Sequence, residues 1–209
     1  MKIPQVPTVP LTYTATDVKR YDGELWRILK TAGPHALRWD QLRHWGPHGG
    51  MRFEPHPAGA PKVHPEAAVL YAASDFYTAF AEVFADGHTI DRDAQSPALV
   101  CWAPSRPLRL LDLTIRSITR IFGAAAIQMV EDRPGTHAWA RALYQQHDDD
   151  IDGIYSRSSV DNGYVVTLFP RSKRIPSFPA APEEHQLLNS AAADIYVDEA
   201  AERLGYAVA

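Results

Sequence analysis

A short apolar run that leads directly into an amphipathic segment constrains the fold of this chain more than any other feature. Ala67 to Ala73 is apolar except for Tyr71, which is typical of a buried strand. Ser74-Asp75 supplies residue types that begin helices, and phenylalanines recur at helical spacing from Phe76 to Phe84. The sequence therefore predicts a strand followed at once by a helix, with Tyr71 near the strand end and Glu82 on the polar helix face.

Other short apolar runs predict a β-strand core with flanking helices. The predicted strands are Glu24 to Leu29, Pro97 to Trp102, Leu108 to Leu113, Gly153 to Ser159 and Gly163 to Phe169. The predicted helices are Ile115 to Val130, Thr136 to Tyr144 after Pro134, Glu183 to Ala193, and Asp198 to Leu204. The 209 residues suffice for one sizeable domain. We expect a single α+β domain with a mixed strand core.

Composition bounds the domain organisation and the class of protein. Residues 1–22 are predicted to form an extended arm, residues 23–170 the domain, and residues 171–209 an extension packed on it. A net charge of −4 argues against direct nucleic-acid binding. No apolar run reaches the roughly 18 residues that span a bilayer, and no signal peptide is apparent, so a cytoplasmic protein is expected. The single cysteine, Cys101, lies in an apolar run and is expected to be a buried thiol.

The segment before the first strand–helix unit contains histidines, glycines and prolines but no regular period. A helical turn is predicted over Trp39 to Trp45, and a glycine turn that enters a strand over Gly49 to Pro55. His44 and His48 have the spacing of a helical metal pair, but Pro47 interrupts the helix that would align them. No metal site is expected here.

The acidic run Asp148 to Gly153 partly matches a calcium-binding loop. Its twelfth position is Ser159 rather than the glutamate that binds calcium through both oxygens. A solvated turn is the expected structure, and the calcium alternative predicts stabilisation by calcium that Asp152→Ala removes.

In order and spacing the chain resembles the RES domain family, named for an arginine, a glutamate and a serine, from about Leu25 to Phe169. The resemblance is carried by Trp26-Arg27, Gly49-Gly50-Met51-Arg52-Phe53, Tyr71, Ala81-Glu82-Val83, Leu110 to Leu113, and a tryptophan-bearing helix before Gly153-Ile154. Three positions depart from the family pattern. Met51 is inserted after the glycines, Glu54-Pro55 replaces asparagine-proline, and Ile28 replaces a tyrosine.

The resemblance implies a fold like that of ADP-ribosyltransferases and an activity on NAD. Arg27 and Arg52 would bind the pyrophosphate, because forked guanidinium contacts fix both position and charge. Tyr71 would stack on the nicotinamide or hydrogen bond around it. Glu82 would stabilise the positive charge that develops on the ribose when the nicotinamide bond breaks. Ser158 would hydrogen bond the ribose or the amide, so the implied catalytic set is Glu82, Arg27 and Ser158.

Several alternatives stay open. Counting from Gly153 places the family serine at Ser158, with Ser156 and Ser159 as other registers. The acceptor is water, inorganic phosphate or a protein side chain. NAD degradation is favoured over protein ADP-ribosylation because the sequence shows no distinct second acidic residue near Glu82 that would activate a protein acceptor. The family further implies a toxin paired with a Xre-type antitoxin, and a non-catalytic NAD-binding or interaction module is the remaining alternative.

Overall fold

The computed structural model describes residues 4–115, 119, 121, 127 and 131–209. Its strands are β1 Val18–Tyr21, β2 Leu25–Lys30, β3 Trp45–Gly46, β4 Lys62–Val63, β5 Leu70–Ala73, β6 Thr89–Ile90, β7 Pro97–Trp102, β8 Leu108–Asp112, β9 Gly153–Arg157, β10 Tyr164–Leu168, β11 Glu184–Leu187 and β12 Ala207–Val208. Its α-helices are α1 Phe76–Phe84, α2 Arg133–His147, α3 Arg171–Arg174 and α4 Asp194–Leu204. Most of the helical stretch predicted over 115–130 lies outside the described residues.

Eight of these strands form one mixed sheet in the order β1-β8-β9-β10-β5-β2-β7-β11. The pair β8–β9 is parallel, and the other neighbours are antiparallel. Strands β9 and β10, which the sequence predicts as neighbouring strands, pair as a hairpin that turns at residues 158–163. A single α+β domain with a mixed sheet and flanking helices is therefore confirmed.

The sheet is nearly divided between β2 and β5. Six residue pairs join β2 to β7 and four join β10 to β5, whereas Trp26 opposite Ala73 is the one pair recorded between β2 and β5. Beyond that pair no backbone pairing is recorded between the two strands. We call the gap bordered by residues 27–30 of β2 and 70–72 of β5 the seam; it brings two predicted site residues, Arg27 and Tyr71, to the middle of the sheet.

The two sheet faces bury different clusters. On one face, Leu25 and Leu29 of β2 pack with Leu42 from the loop after β2. The opposite face is covered by α1 and α4 near β2 and by α2 near β9, where Trp139 and Leu143 make the predicted core contacts. Helices thus flank the seam on the second face, and one of them, α1, carries Glu82.

Local signals explain where the helices begin. The Asp75 side chain accepts a hydrogen bond from the backbone N–H of Thr78 at 2.8 Å, which satisfies a free donor in the first turn of α1. Asp132 does the same for Gly135 at 3.0 Å, one residue after Pro134, a residue suited to a first helical turn. Both predicted helix starts are confirmed.

Three predictions from local pattern are wrong. Residues 39–44 form no helical turn, and residues 51–55 form no strand. The region 183–193, predicted as a helix, contains β11, which pairs with the buried strand β7.

The predicted arm lies on the domain and ends in an edge strand, because β1 pairs with β8. No helix among the described residues is long and apolar enough to cross a membrane.

Candidate active site

Arg52, Tyr71 and Glu82 come from three separate segments that contacts bring into one region. The Tyr71 hydroxyl donates to Glu54, two residues after Arg52, at 3.0 Å. The β9–β10 turn contacts Nη2 of Arg52 through Ser159 and the Thr78 hydroxyl, one turn before Glu82, through Asp161.

The electrostatics of Arg52 agree with these contacts. Burial and then the charge of Arg133 lower the pKa of Arg52, while Glu82 and Tyr71 oppose that shift. The loop before β4, strand β5 and helix α1 therefore bring a cation, an aromatic ring and a carboxylate into one region.

Glu82 lies on the exposed side of α1, away from the fully buried Phe80. Its surroundings include two residues that the sequence did not single out. Asp161, in the β9–β10 turn, accepts a hydrogen bond from the hydroxyl of Thr78 at 2.8 Å, one turn before Glu82. Burial raises the pKa of Tyr206, and Asp161 and Glu82 raise it further. A second acidic residue therefore does lie in the neighbourhood of Glu82, contrary to the sequence-based expectation.

Arg27 lies at the seam and is linked to the other candidates indirectly. Its Nη1 donates to the backbone carbonyl of Trp39 at 3.1 Å. Burial and then the charge of Arg43 lower its pKa to about 10, so it stays charged at neutral pH. Among the described residues, no carboxylate lies within ion-pair distance of Arg27 or Arg52. Since an unpaired charge removed from water is costly, both guanidiniums are suited to an anionic ligand.

Glu54 is a residue of the candidate site that sequence reasoning did not propose for a role. Its carboxylate is fully buried and pairs with Arg43 at 2.5 Å and with Nδ1 of His56 at 3.0 Å. It also accepts hydrogen bonds from the Tyr71 hydroxyl at 3.0 Å and from the backbone N–H of His48 at 3.1 Å. Burial alone would raise its pKa, but the contacts from His56 and Arg43 outweigh burial and lower it to about 2. Glu54 is therefore ionised at every physiological pH.

The position of Glu54 was visible in the sequence only as a departure from the family pattern. Arg43, its partner, lies outside any predicted motif, and its backbone forms an isolated bridge with Val69 just before β5. That bridge places the Arg43 guanidinium beside the seam. No spacing rule in the sequence connects positions 43, 54 and 71.

The inserted residue Met51 turns its side chain toward solvent, while its carbonyl hydrogen bonds with Nε2 of His137 at 2.8 Å. Arg133 donates from Nε to the carbonyl of Gly50 at 3.1 Å. Helix α2 therefore holds the backbone just before Arg52. The insertion is accommodated outside the site.

The three serine registers have different environments. The hydroxyl of Ser158 is buried and accepts hydrogen bonds from the N–H groups of Val160 and Asp161 at 3.0 and 3.3 Å. Ser156 is buried within β9. Ser159 is exposed, and its hydroxyl contacts Nη2 of Arg52 at 2.5 Å. Ser158 thus shapes the turn, and Ser159 is the serine that directly contacts a predicted ligand-binding arginine.

Two other clusters of polar residues have structural partners of their own. Asp152 is not in a solvated turn, as the sequence suggested, but is fully buried between Arg106 and Arg171 at 2.7 and 2.8 Å. Those contacts occupy the oxygens that a calcium ion would need. Among the described residues, the side chains close enough to share a metal are Glu24, Cys101 and Glu183, none of which belongs to the site. Cys101 is buried, as expected.

Cavity size does not identify the site. A surface cavity of about 610 Å³ is lined by residues that include Arg38, His44 and Lys173, and another of about 500 Å³ by residues that include Val6 and Trp139. Neither is lined by a predicted site residue. The candidate site is defined instead by convergent charges at the seam.

Comparisons with known proteins show which family and which solved structure the chain is similar to. The family model of the RES domain matches residues 24–189, which include every predicted site residue and β11. No curated protein sequence matches the chain. Among solved structures, one chain in the crystal structure of the M. tuberculosis MbcT–MbcA toxin–antitoxin complex is similar, with a TM-score of 0.52 and 16% identity. The match covers 88% of this chain and 92% of that one. At this identity the likeness concerns the fold.

Proposed function

Because the chain belongs to the RES domain family, we propose that it cleaves the bond between nicotinamide and ribose in NAD. The observation that carries the proposal is that contacts bring Arg52 close to Tyr71 and α1, because Glu54 binds the Tyr71 hydroxyl and the β9–β10 turn contacts both Arg52 and the helix that carries Glu82. An anion-binding group, a flat ring and a carboxylate are what this reaction requires. The family supplies the expectation of NAD, and the site supplies groups suited to each part of it.

The two arginines would bind the pyrophosphate. Arg27 comes from β2 and Arg52 from the loop before β4, and neither has a carboxylate partner among the described residues. A dinucleotide pyrophosphate carries two negative charges, so one ligand would neutralise both. Contacts between guanidinium and phosphate are charge-assisted and directional, and they would fix the register of the dinucleotide across the seam.

Glu82 would carry the chemistry. As the bond between nicotinamide and ribose lengthens, positive charge accumulates on the ribose, and nicotinamide leaves with the bonding electron pair as a neutral base. A fixed carboxylate stabilises that charge more in the transition state than in the ground state. Glu82 needs no proton transfer for this role. Its exposure on α1 leaves room for the ribose and the acceptor.

The acceptor would complete the reaction. Water yields ADP-ribose and a proton, whereas inorganic phosphate yields ADP-ribose-1″-phosphate. We favour these degradative routes, with a toxin role in a toxin–antitoxin pair and a Xre-type antitoxin as the partner. The similar structure, described as a toxin–antitoxin complex, supports that partner class. Transfer to a protein side chain is the second candidate, and the proximity of Asp161 favours it, since an acidic group there could accept a proton from an incoming nucleophile.

Product analysis tests the proposal. Purified protein is incubated with NAD, with and without phosphate and with and without a cell lysate, and the products are identified by mass spectrometry. We expect nicotinamide release that Glu82→Gln lowers about 100-fold to 1,000-fold. Asp86→Asn, an exposed acid shortly after α1, should keep the wild-type rate. Bound but intact NAD would indicate a non-catalytic module, and labelled lysate proteins would indicate the transferase.

The toxin role has a separate test. Expression of the wild-type chain in a bacterial host should deplete NAD and arrest growth, and Glu82→Gln should relieve both effects. Growth at the normal rate with a catalytically competent protein would contradict the toxin role without affecting the proposed chemistry.

A further inference from the structure

We propose that Glu54 is a positioning residue, which holds Tyr71 through its hydroxyl so that the phenol ring, rather than the hydroxyl, faces the ligand. The inference rests on the proposed function and adds to it a residue at which this chain departs from its family. It also identifies the contact that holds Tyr71 at the seam before any ligand binds.

The first step of the argument is that the Tyr71 hydroxyl is already occupied. It donates to Oε1 of Glu54 at 3.0 Å. One hydroxyl donates one proton, and that proton is committed to Glu54. The tyrosine nevertheless retains partial exposure. The part of Tyr71 available for nicotinamide is therefore the ring.

The second step is that Glu54 is itself fixed. Both of its oxygens accept hydrogen bonds, one from Arg43 and Tyr71 and the other from the backbone N–H of His48, with Nδ1 of His56 3.0 Å away. A fully buried carboxylate with three donors is held in one orientation. A neutral amide at this position would present one oxygen and one donor NH₂ group, and could not accept from all three donors.

The third step connects this cluster to Arg52. Glu54 lies two residues after Arg52 in the chain and accepts the hydrogen bond of the Tyr71 hydroxyl. On the other side, helix α2 holds the carbonyls of Gly50 and Met51. The backbone of Arg52 is therefore held from both directions. The buried carboxylate of Glu54 therefore fixes both the backbone beside Arg52, the proposed pyrophosphate ligand, and Tyr71, whose ring would contact nicotinamide.

The test uses Glu54→Gln, Tyr71→Phe, their double variant, and Tyr71→Leu. Glu66→Gln is the matched control, because Glu66 also contacts a histidine in the same loop but is exposed. Nicotinamide release is measured as kcat and KM, with kcat normalised to the number of NAD-binding sites from titration calorimetry. This normalisation removes any unfolded fraction from the comparison.

We expect Glu54→Gln and Tyr71→Phe each to lower the normalised kcat by about tenfold to a hundredfold, as loss of a charge-assisted hydrogen bond would. The double variant should be no slower than the slower single variant, because both substitutions break one link. Tyr71→Leu, which removes the ring, should lower kcat further than Tyr71→Phe. Glu66→Gln should match the wild type.

Other outcomes overturn the proposal in distinguishable ways. A wild-type normalised kcat in Glu54→Gln or Tyr71→Phe, even with lowered thermal stability, would show a structural role alone. Multiplying effects in the double variant would show that Glu54 acts independently of Tyr71. If Glu54→Gln fails to fold, Arg43→Met/Glu54→Gln removes both charges together, and a wild-type rate in that variant would also overturn the proposal. A wild-type protein that releases no nicotinamide would instead overturn the proposed function, and the positioning role with it.

Discussion

The two regions that meet at the seam are built by different forces. The strand–helix region, residues 70–84, is ordered by backbone hydrogen bonds within the sheet and α1, and by an aspartate at the helix start. The loop region, residues 39–64, contains little regular structure. It is ordered by buried side-chain contacts, chiefly those of Glu54 with Arg43 and His56.

Because of this difference, the two regions contribute different residues to the candidate site. Regular structure positions Tyr71 within strand β5 and Glu82 on the exposed side of α1. The loop region carries the arginines, and side-chain contacts place them: Arg43 is held within the loop by Glu54 and the Trp45 carbonyl, and Arg52 by Ser159 of the β9–β10 turn. Substitutions in the loop region should therefore affect stability and ligand position together, whereas those on the exposed face of α1 should affect chemistry alone.

The largest effect expected from this contrast concerns acid stability. Contacts lower the pKa of Glu54 to about 2 from an ordinary value near 4.5, so the unfolded state takes up the proton first as pH falls. The stabilisation from Glu54 is complete above pH 4.5 and is lost between about pH 4.5 and pH 2. It amounts to about 3 kcal/mol. Denaturant unfolding at several pH values measures it.

Two variants separate the regions in that experiment. In Glu54→Gln, the difference in unfolding free energy from the wild type should shrink as pH falls towards 2. Glu82→Gln, at an exposed position, should follow the wild-type curve throughout. Equal acid sensitivity in Glu54→Gln and the wild type would contradict the assigned role of the buried carboxylate.

A second prediction separates stability from binding at Arg27. Replacing this enclosed guanidinium with methionine removes an unpaired buried charge, so Arg27→Met should raise or preserve the Tm. The KM for NAD should rise about tenfold to a hundredfold, because a charge-assisted contact to phosphate is lost. Arg38→Met, at a largely exposed arginine, is the control and should change neither quantity. A fall in Tm with an unchanged KM for NAD would show that Arg27 stabilises the fold and does not bind NAD.

A third prediction concerns two glycines of the loop region. A Cβ added at Gly46 would lie 2.4 Å from Nδ1 of His56, the residue that contacts Glu54, whereas a Cβ at Gly49 meets no atom within 4 Å. Gly46→Ala should therefore lower the unfolding free energy by about 2 kcal/mol through overpacking. Gly49→Ala should stay within about 0.5 kcal/mol of the wild type. Similar Tm values for both variants would show that the His56 ring moves aside freely.

The same contrast explains what could be predicted from the sequence. Tyr71, Glu82 and the start of α1 follow from short-range signals, namely an apolar run, a capping residue and helical spacing. Arg43 and Glu54 could not be predicted, because their contact depends on how an irregular loop folds back onto β5. The strand β11 was predicted as a helix, since its pairing with β7 decides its conformation. Asp152 was predicted to be solvated because its partners, Arg106 and Arg171, are distant in sequence.

The smallest effects distinguish the two serines in the β9–β10 turn. Ser158→Ala removes the acceptor of two backbone N–H groups and should lower the unfolding free energy by about 1 kcal/mol. Ser159→Ala removes a contact of Arg52 and should leave stability unchanged. If Arg52 binds pyrophosphate, Ser159→Ala should alter the KM for NAD a few-fold, because the resting position of the guanidinium changes. Ser158 would then act on the ligand only through the shape of the turn, so a fall in kcat greater than tenfold in a fully folded Ser158→Ala protein would return this serine to the catalytic set.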